Sequence, residues 1–299
     1  HTRHNVINRE IIPAGCRDHD PYRYYIPSSP YFPEDMDIQK EYPFTPEQHN
    51  WGPRDYFKGD FYKNSFAVFV SETGYHGCPA ASSIRRFISQ ENLWPPHNNR
   101  EWDTHNTDYL PAGKRRYNRI QLMTDQVETL FGEVPDDMER YIVASQISQA
   151  EAKKYFIERV RIQRNRMGGV IWWNLLDGWP QISDAVVDYY FTKKIAYHYI
   201  KRSQQPVCVL MDELDNWTHD IYVDNNTERS VDVSLSITKA VTGEIIHQDV
   251  VSVGPQSIFH SGSHRSLPGH KELYIMEWNW EGGKGANHYI SGYPPFDLD

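Results

Sequence analysis

The chain has 299 residues, 39% of them hydrophobic and 24% charged, enough for two domains of ordinary size around a sizeable core. Its formal net charge of -9 argues against a nucleic-acid surface, because phosphate binding needs a basic face, and no apolar run approaches a membrane span. The sparse, odd set of cysteines, Cys16, Cys78 and Cys208, builds no disulfide framework and points to a reducing, cytoplasmic setting.

No signal peptide is visible at His1, and with no initiator Met the coding sequence is expected to begin further upstream. Asn5 to Arg17 reads as the end of a helix, with Val6, Ile7, Ile11 and Ile12 at roughly helical spacing. Asp20-Pro21 breaks it, and Tyr22 to Ile26 reads as a short strand stopped by Pro27-Ser28-Ser29-Pro30. Residues 31 to 60 show no clear period; within them, Gln48 to Gly52 reads as a very short strand and its end. Phe66 to Val70 is the strongest strand of the first half, and Ala80 to Ser89 reads as a helix. Residues 90 to 118 are polar and irregular. Arg119 to Phe131 is helical, with Ile120, Met123, Val127 and Leu130 on one face and Gly132 as its stop. A long helical tract runs from Asp136 to about Met167, Gly169 to Trp173 is a second strong strand, and Ala185 to Ile200 reads as another helix. From Val207 the pattern changes. Val207 to Met211, Asp220 to Val223, Val231 to Thr238, Ile245 to Val253 and Glu272 to Trp278 alternate with turn signals, as in a β-sandwich. The chain thus divides into an α/β part, 1–203, and an all-β part, 204–299.

Two stretches organise the first part. Phe66 to Gly74 and Gly168 to Pro180 each begin apolar and turn polar and aromatic at the C-terminal end. Runs apolar on both faces predict buried parallel strands, and the C-terminal ends of such strands are where parallel α/β folds carry their sites. Glu72 and the cluster from Trp173 to Asp177 are therefore expected to be two walls of one pocket. The competing reading is a pair of core strands whose polar ends cap loops, with Trp173 as plain core and His49 as a surface-loop histidine.

The sequence lacks a P-loop, GxGxxG, HExxH, CxxC and GxSxG. His76 and Cys78 are two apart, but nothing nearby completes a metal site. Asn216-Trp217-Thr218 and Asn225-Asn226-Thr227 fit the glycosylation sequon, which matters only in a secreted protein. What remains is carboxylate chemistry among aromatics. Glycoside hydrolysis uses two carboxyl groups, one of which can attack the anomeric carbon, and an indole face suits the apolar face of a sugar.

These residues carry a resemblance. Phe69-Val70-Ser71-Glu72-Thr73-Gly74, followed by Cys78-Pro79, resembles the nucleophile segment of glycoside hydrolase family 2, in its β-mannosidase-like and β-galactosidase-like members. Trp173 to Pro180 is similar to the Trp-Gln-Leu-Asn-Asp-x-Trp-Pro of the β-mannosidase-like branch. Asp188-Tyr189 with Lys194, Tyr197 and Tyr199, Asp20 to Tyr24 with Ser28-Ser29-Pro30, His49-Asn50-Trp51, and the tail from Asn287 to Phe296 follow in the family's order. Thr73, Asn174 and Leu176 depart from its pattern, at positions that shape the sugar pocket.

The resemblance implies the C-terminal half of a (β/α)8 TIM barrel followed by an immunoglobulin-like β-sandwich. Strands five to eight would be Tyr22 to Ile26, the segment at His49, Phe66 to Val70, and Gly169 to Trp173. It implies a retaining exo-β-glycosidase acting on terminal β-linked sugars, with Glu72 as nucleophile and His49, Trp51, Trp173, Asn174 and Asp177 lining the sugar subsite. The family's acid/base on strand four would lie before His1, so the chain alone is expected to lack it. No cofactor is implied. The expected partners are a carbohydrate substrate and an N-terminal barrel half, or self-association. The other reading is a non-catalytic carbohydrate-binding or scaffolding fragment.

Overall fold

The computed structural model describes residues 5–31, 45–65, 67–107 and 118–298. Three parallel strands form its first sheet: β1 (Thr45–His49), β2 (Ala67–Thr73) and β3 (Gly169–Trp172), in the order β1-β2-β3. Four strands were expected. Tyr22 to Ile26 is instead a turn and bend running into irregular chain, without a ladder partner among the described residues, and Tyr22 and Tyr24 stand out in solvent. A strand exists only by pairing, and the apolar content of that pentapeptide does not supply a neighbour. The strong strand predicted from Phe66 begins, within the described residues, at Ala67.

Burial of the sheet is one-sided. Ala67 and Val70 pack with Val160 and Met167, whereas Val68 and Ile171 are 44% and 56% exposed. The expectation of strands buried on both faces is therefore corrected. The covering element is a long helix, and among the described residues the parallel sheet has three strands.

The helices are α1 (Ile12–His19), α2 (Asp60–Lys63), α3 (Ala81–Ile84), α4 (Arg100–Thr104), α5 (Arg119–Phe131), α6 (Met138–Ile162) and α7 (Ile195–Ser203). A π-helical turn, Ile7–Ile11, leads into α1, so the predicted first helix runs two residues beyond Arg17 and changes type along its length. The helix expected over Ala80 to Ser89 keeps only the regular turn of α3. α5 starts at Asn118, whose side chain accepts from the Ile120 amide, and stops at Gly132 in the left-handed region, φ 79°. α6 starts at Asp137, whose carboxylate accepts from the Arg140 amide at 2.9 Å. The helix expected from Ala185 begins only at Ile195. Asp188 Oδ1 accepts from the amides of Tyr190 and Thr192, both at 3.0 Å, and Phe191 adopts φ 64°. This side-chain competition with the helix ladder holds residues 185–194 as an irregular loop.

After α7, seven strands form two antiparallel sheets: β4 (Val207–Met211), β5 (Thr218–Asn225), β6 (Val231–Lys239), β7 (Ile245–Val253), β8 (Ser257–Arg265), β9 (Glu272–Trp280) and β10 (Gly283–Ser291). Their orders are β10-β9-β6-β7 and β4-β5-β8. Alternation along β6 sends Val231, Val233, Leu235 and Ile237 into one core with Leu210, Val223, Met276 and Trp278. The mixed α/β and antiparallel composition follows the predicted runs. The strands missing from the predicted runs are β8, a polar segment that pairs on β5, and β10, which pairs on β9, each at a sheet edge. Asn225 of the second sequon is buried at the end of β5, its amide donating to the carbonyls of Arg229, Val253 and Gly254.

α6 joins the two layers. Arg161 Nε lies 2.7 Å from Asp224 Oδ2, and Arg164 pairs with the other oxygen of the same buried carboxylate. Glu158 accepts from Ser203 at 3.0 Å and from Asn287 at 2.6 Å. A long helix with so many buried polar groups is explained by these pairings.

Candidate active site

Parallel pairing brings the strand ends to one level. His49 of β1 is in register with Glu72 of β2, and Thr73 with Trp172 of β3. Two backbone bonds extend the sheet past its strands: the Asn50 amide donates to the Glu72 carbonyl at 2.6 Å, and the Trp173 amide to the Thr73 carbonyl at 2.7 Å. The C-terminal ends of the three strands thus present His49, Trp51, Glu72 and Trp173 together.

Their side chains make a defined cluster. Trp51 Nε1 donates to Glu72 Oε2 at 2.9 Å. His49 Nδ1 lies 3.4 Å from the same oxygen, and His49 Nε2 lies 2.7 Å from Ser29 Oγ. Among the described residues, the other Glu72 oxygen has no hydrogen bond. The Glu72 side chain is 31% exposed. The Arg54 guanidinium sits 4.3 Å over the Trp51 ring, a cation–π contact that holds the indole. Gly74 makes room for that indole: a Cβ there would lie 2.6 Å from the Trp51 ring and 2.8 Å from Asp184 Oδ1. Trp173 presents an indole that is 49% exposed.

The remaining predicted residues sit differently. Asn174 is half-buried; its carbonyl accepts from the Val186 amide at 3.1 Å, and its side chain makes a long 3.5 Å contact to the Leu176 carbonyl. Asp177 is 2% exposed, with Oδ1 accepting from Ser183 at 2.6 Å and Gln181 at 2.7 Å. Burial pushes its carboxyl pKa up from the ordinary value, against the opposing pull of Lys194. Its contacts lie in the loop below, not at Glu72.

Sequence reasoning missed several groups. Glu47, two residues before His49 on β1, is 2% exposed and accepts from Ser29 Oγ at 2.6 Å and from the Tyr31 amide at 2.5 Å. Ser71 Oγ donates to it as well. Glu47 Oε1 lies 3.8 Å from His49 Nε2, so the imidazole stands between two carboxylates. The period of two along a strand was the available signal, since it links Glu47 to His49. Beneath the strand ends lie two more buried cations. Lys194 donates to the Gly77 carbonyl at 2.7 Å, and Lys153 donates to the Trp173 carbonyl. Buried His76 lies 3.3 Å from Asp184, and desolvation lowers its imidazole pKa. Among the described residues, no group of three His, Cys, Asp or Glu side chains is placed to hold a metal ion.

The cluster can do specific chemistry. A partly open carboxylate is held on one oxygen by an indole N–H and an imidazole, at strand ends that also carry the exposed Trp173. Such a group can attack or protonate a bound polyol or sugar.

No protein-family model matches the chain. It is 27% identical over 266 residues to β-mannosidase B of Aspergillus terreus, covering 82% of this chain and 30% of that protein. It is 30% identical over 210 residues to β-mannosidase B of Aspergillus niger, covering 68% of this chain and 23% of that protein. The chain therefore spans less than a third of the length of these curated relatives. Its fold is similar to that of a β-D-mannosidase from Dictyoglomus thermophilum, with TM-score 0.75 and 24% identity, covering 98% of this chain and 35% of that one. It is also similar to an exo-chitosanase from Amycolatopsis orientalis, with TM-score 0.60 and 17% identity, covering 83% and 30%.

Proposed function

The chain is related to the β-mannosidases, in keeping with the C-terminal portion of glycoside hydrolase family 2, and from this we propose that it carries the nucleophile half of a retaining exo-β-glycosidase site. The observation that carries the reading is the contact of Trp51, His49 and Glu72 at the C-terminal ends of β1 and β2. In this reading β1, β2 and β3 are the last three strands of a (β/α)8 barrel, 1–203 is barrel, and 204–299 is an immunoglobulin-like sandwich. The relatives' names support a terminal β-mannoside as substrate.

In the proposed mechanism the free Glu72 oxygen attacks the anomeric carbon and the leaving alkoxide departs with a proton from a second carboxyl group. Water then cleaves the glycosyl ester, with the second group acting as base. Trp51 and His49 orient the attacking carboxylate through its other oxygen, and the exposed Trp173 indole stacks on the sugar. In a retaining enzyme the second group lies about 5 to 5.5 Å from the nucleophile. Glu47 is a poor candidate, because it is buried and its oxygens are engaged by Ser29, Ser71 and Tyr31. In this reading the acid/base comes from a part of the full-length protein outside this chain, in keeping with its spanning less than a third of its relatives' length.

The test is labelling of the full-length protein with a 2-deoxy-2-fluoro-β-mannosyl fluoride, followed by peptide mass spectrometry. Glu72 should carry the sugar, and E72Q should abolish turnover in a folded protein. Labelling of another residue would overturn the assignment. A non-catalytic sugar-binding role would instead appear as ligand binding without any label.

A further inference from the structure

Lys153 lies in the middle of α6 and is wholly buried. Burying an ammonium is far more costly than burying an apolar chain of the same length. Among the described residues it has no carboxylate within salt-bridge distance; Asp184 attracts it from further off, and the like charge of Lys194 opposes that attraction. Desolvation accordingly pushes its pKa down to about 8. A side chain kept at that cost needs a partner, and its hydrogen bond goes to the Trp173 carbonyl. The Nζ atom also lies 5.7 Å from the centre of the Trp172 ring, near the outer limit of a cation–π contact.

The consequence concerns Trp173. Its amide is bound to the Thr73 carbonyl of β2 at 2.7 Å, and its carbonyl is bound by Lys153 of α6. Both peptide groups of this residue are thus fixed by different elements, its amide next to Glu72 on β2, while its indole stands half exposed. We propose that Lys153 is a positioning residue, reaching from α6 to hold the Trp173 carbonyl and so fix the direction of the indole at the candidate site. A methionine would fill the same space and leave the carbonyl without a donor. The link to sugar stacking rests on the function proposed above; the positioning itself does not.

The experiment uses this chain labelled with 5-fluorotryptophan, with the Trp173 resonance in the 19F spectrum identified by W173F. In K153M the Trp173 signal should shift and broaden, while the signals of the buried Trp102 and Trp278 stay in place. In K153Q, whose amide can still donate to the carbonyl, the Trp173 signal should return toward its original position. A folded K153M with an unmoved Trp173 signal overturns the proposal. If neither variant folds, the ammonium serves the core rather than the indole, and the proposal is equally overturned. Kinetics of the full-length protein on p-nitrophenyl β-mannoside separate the two readings. There K153M should raise KM about tenfold at nearly unchanged kcat, the pattern of lost uniform binding at an aromatic contact. A shifted NMR signal in a full-length protein that neither binds nor hydrolyses β-glycosides would refute the functional reading and leave the positioning intact.

Discussion

Asp224→Ala is the sharpest test of how the two layers are joined. Asp224, at the end of β5, is 1% exposed and receives Arg161 at 2.7 Å and Arg164 on its second oxygen. Removing the carboxylate leaves the buried Arg161 guanidinium without its counter-charge. Breaking a buried pair by deleting one partner costs about 3–5 kcal/mol. Arg161 keeps hydrogen bonds to the carbonyls of Ser203 at 2.7 Å and Gln205 at 2.8 Å, which favours the lower end, about 3 kcal/mol. Over 299 residues, with an unfolding entropy of about 2.1 cal/mol/K per residue, that loss lowers Tm by roughly 5 °C. The assay is thermal unfolding followed by far-UV circular dichroism and by tryptophan fluorescence. The paired control is Lys239→Ala, which breaks the exposed bridge to Glu244 at 2.7 Å and should leave Tm where it was. A D224A chain melting within a degree of the original would refute the reasoning, because the Asp224 pair would then be no more than a surface contact.

Three further outcomes follow from the same geometry. Gly74→Ala should displace the Trp51 indole, since its Cβ would come within 2.6 Å of that ring; near-normal turnover of a full-length G74A enzyme would exclude Trp51 as an orienting group for Glu72. Burial pushes the Cys78 and Cys208 thiols up to about 12, so Ellman's reagent at pH 8 should titrate Cys16 alone in the native chain and all three cysteines after denaturation. Burial holds the imidazoles of His76 and His219 below their ordinary value of 6.5. The unfolded chain therefore binds more protons below about pH 6.5, and stability should fall as pH drops from 7 to 5, by up to about 1.4 kcal/mol per pH unit for each group. H219Q should make that slope shallower, and an unchanged slope in urea melts would rule His219 out as a contributor.

The local grammar of this chain was legible because it is written in short-range patterns. Period-two alternation marks Val231 to Lys239, the apolar run and its Gly ending mark β2, and Asn118 and Gly132 bracket α5 by chemistry confined to a few residues. The sequence also placed Glu72, His49, Trp51 and Trp173 at strand ends, and parallel register brings those ends to one edge of the sheet. Only the tertiary structure decided which acidic group stays open. Glu47, Glu72 and Asp177 all stand near the ends of apolar or strand-like segments, yet Glu47 is closed off by Ser29 and Ser71 and Asp177 by Gln181 and Ser183, while Glu72 stays 31% exposed. For Glu47 those partners lie 18 and 24 residues away, beyond any periodic signal. The same holds for Lys153, whose place in a helical pattern says nothing of the strand-end carbonyl it binds. Side-chain hydrogen bonds between distant segments are set by how the layers pack. Strands and helices can therefore be read from neighbours in sequence, whereas exposure, and with it the chemistry available to each carboxylate, comes from neighbours in space.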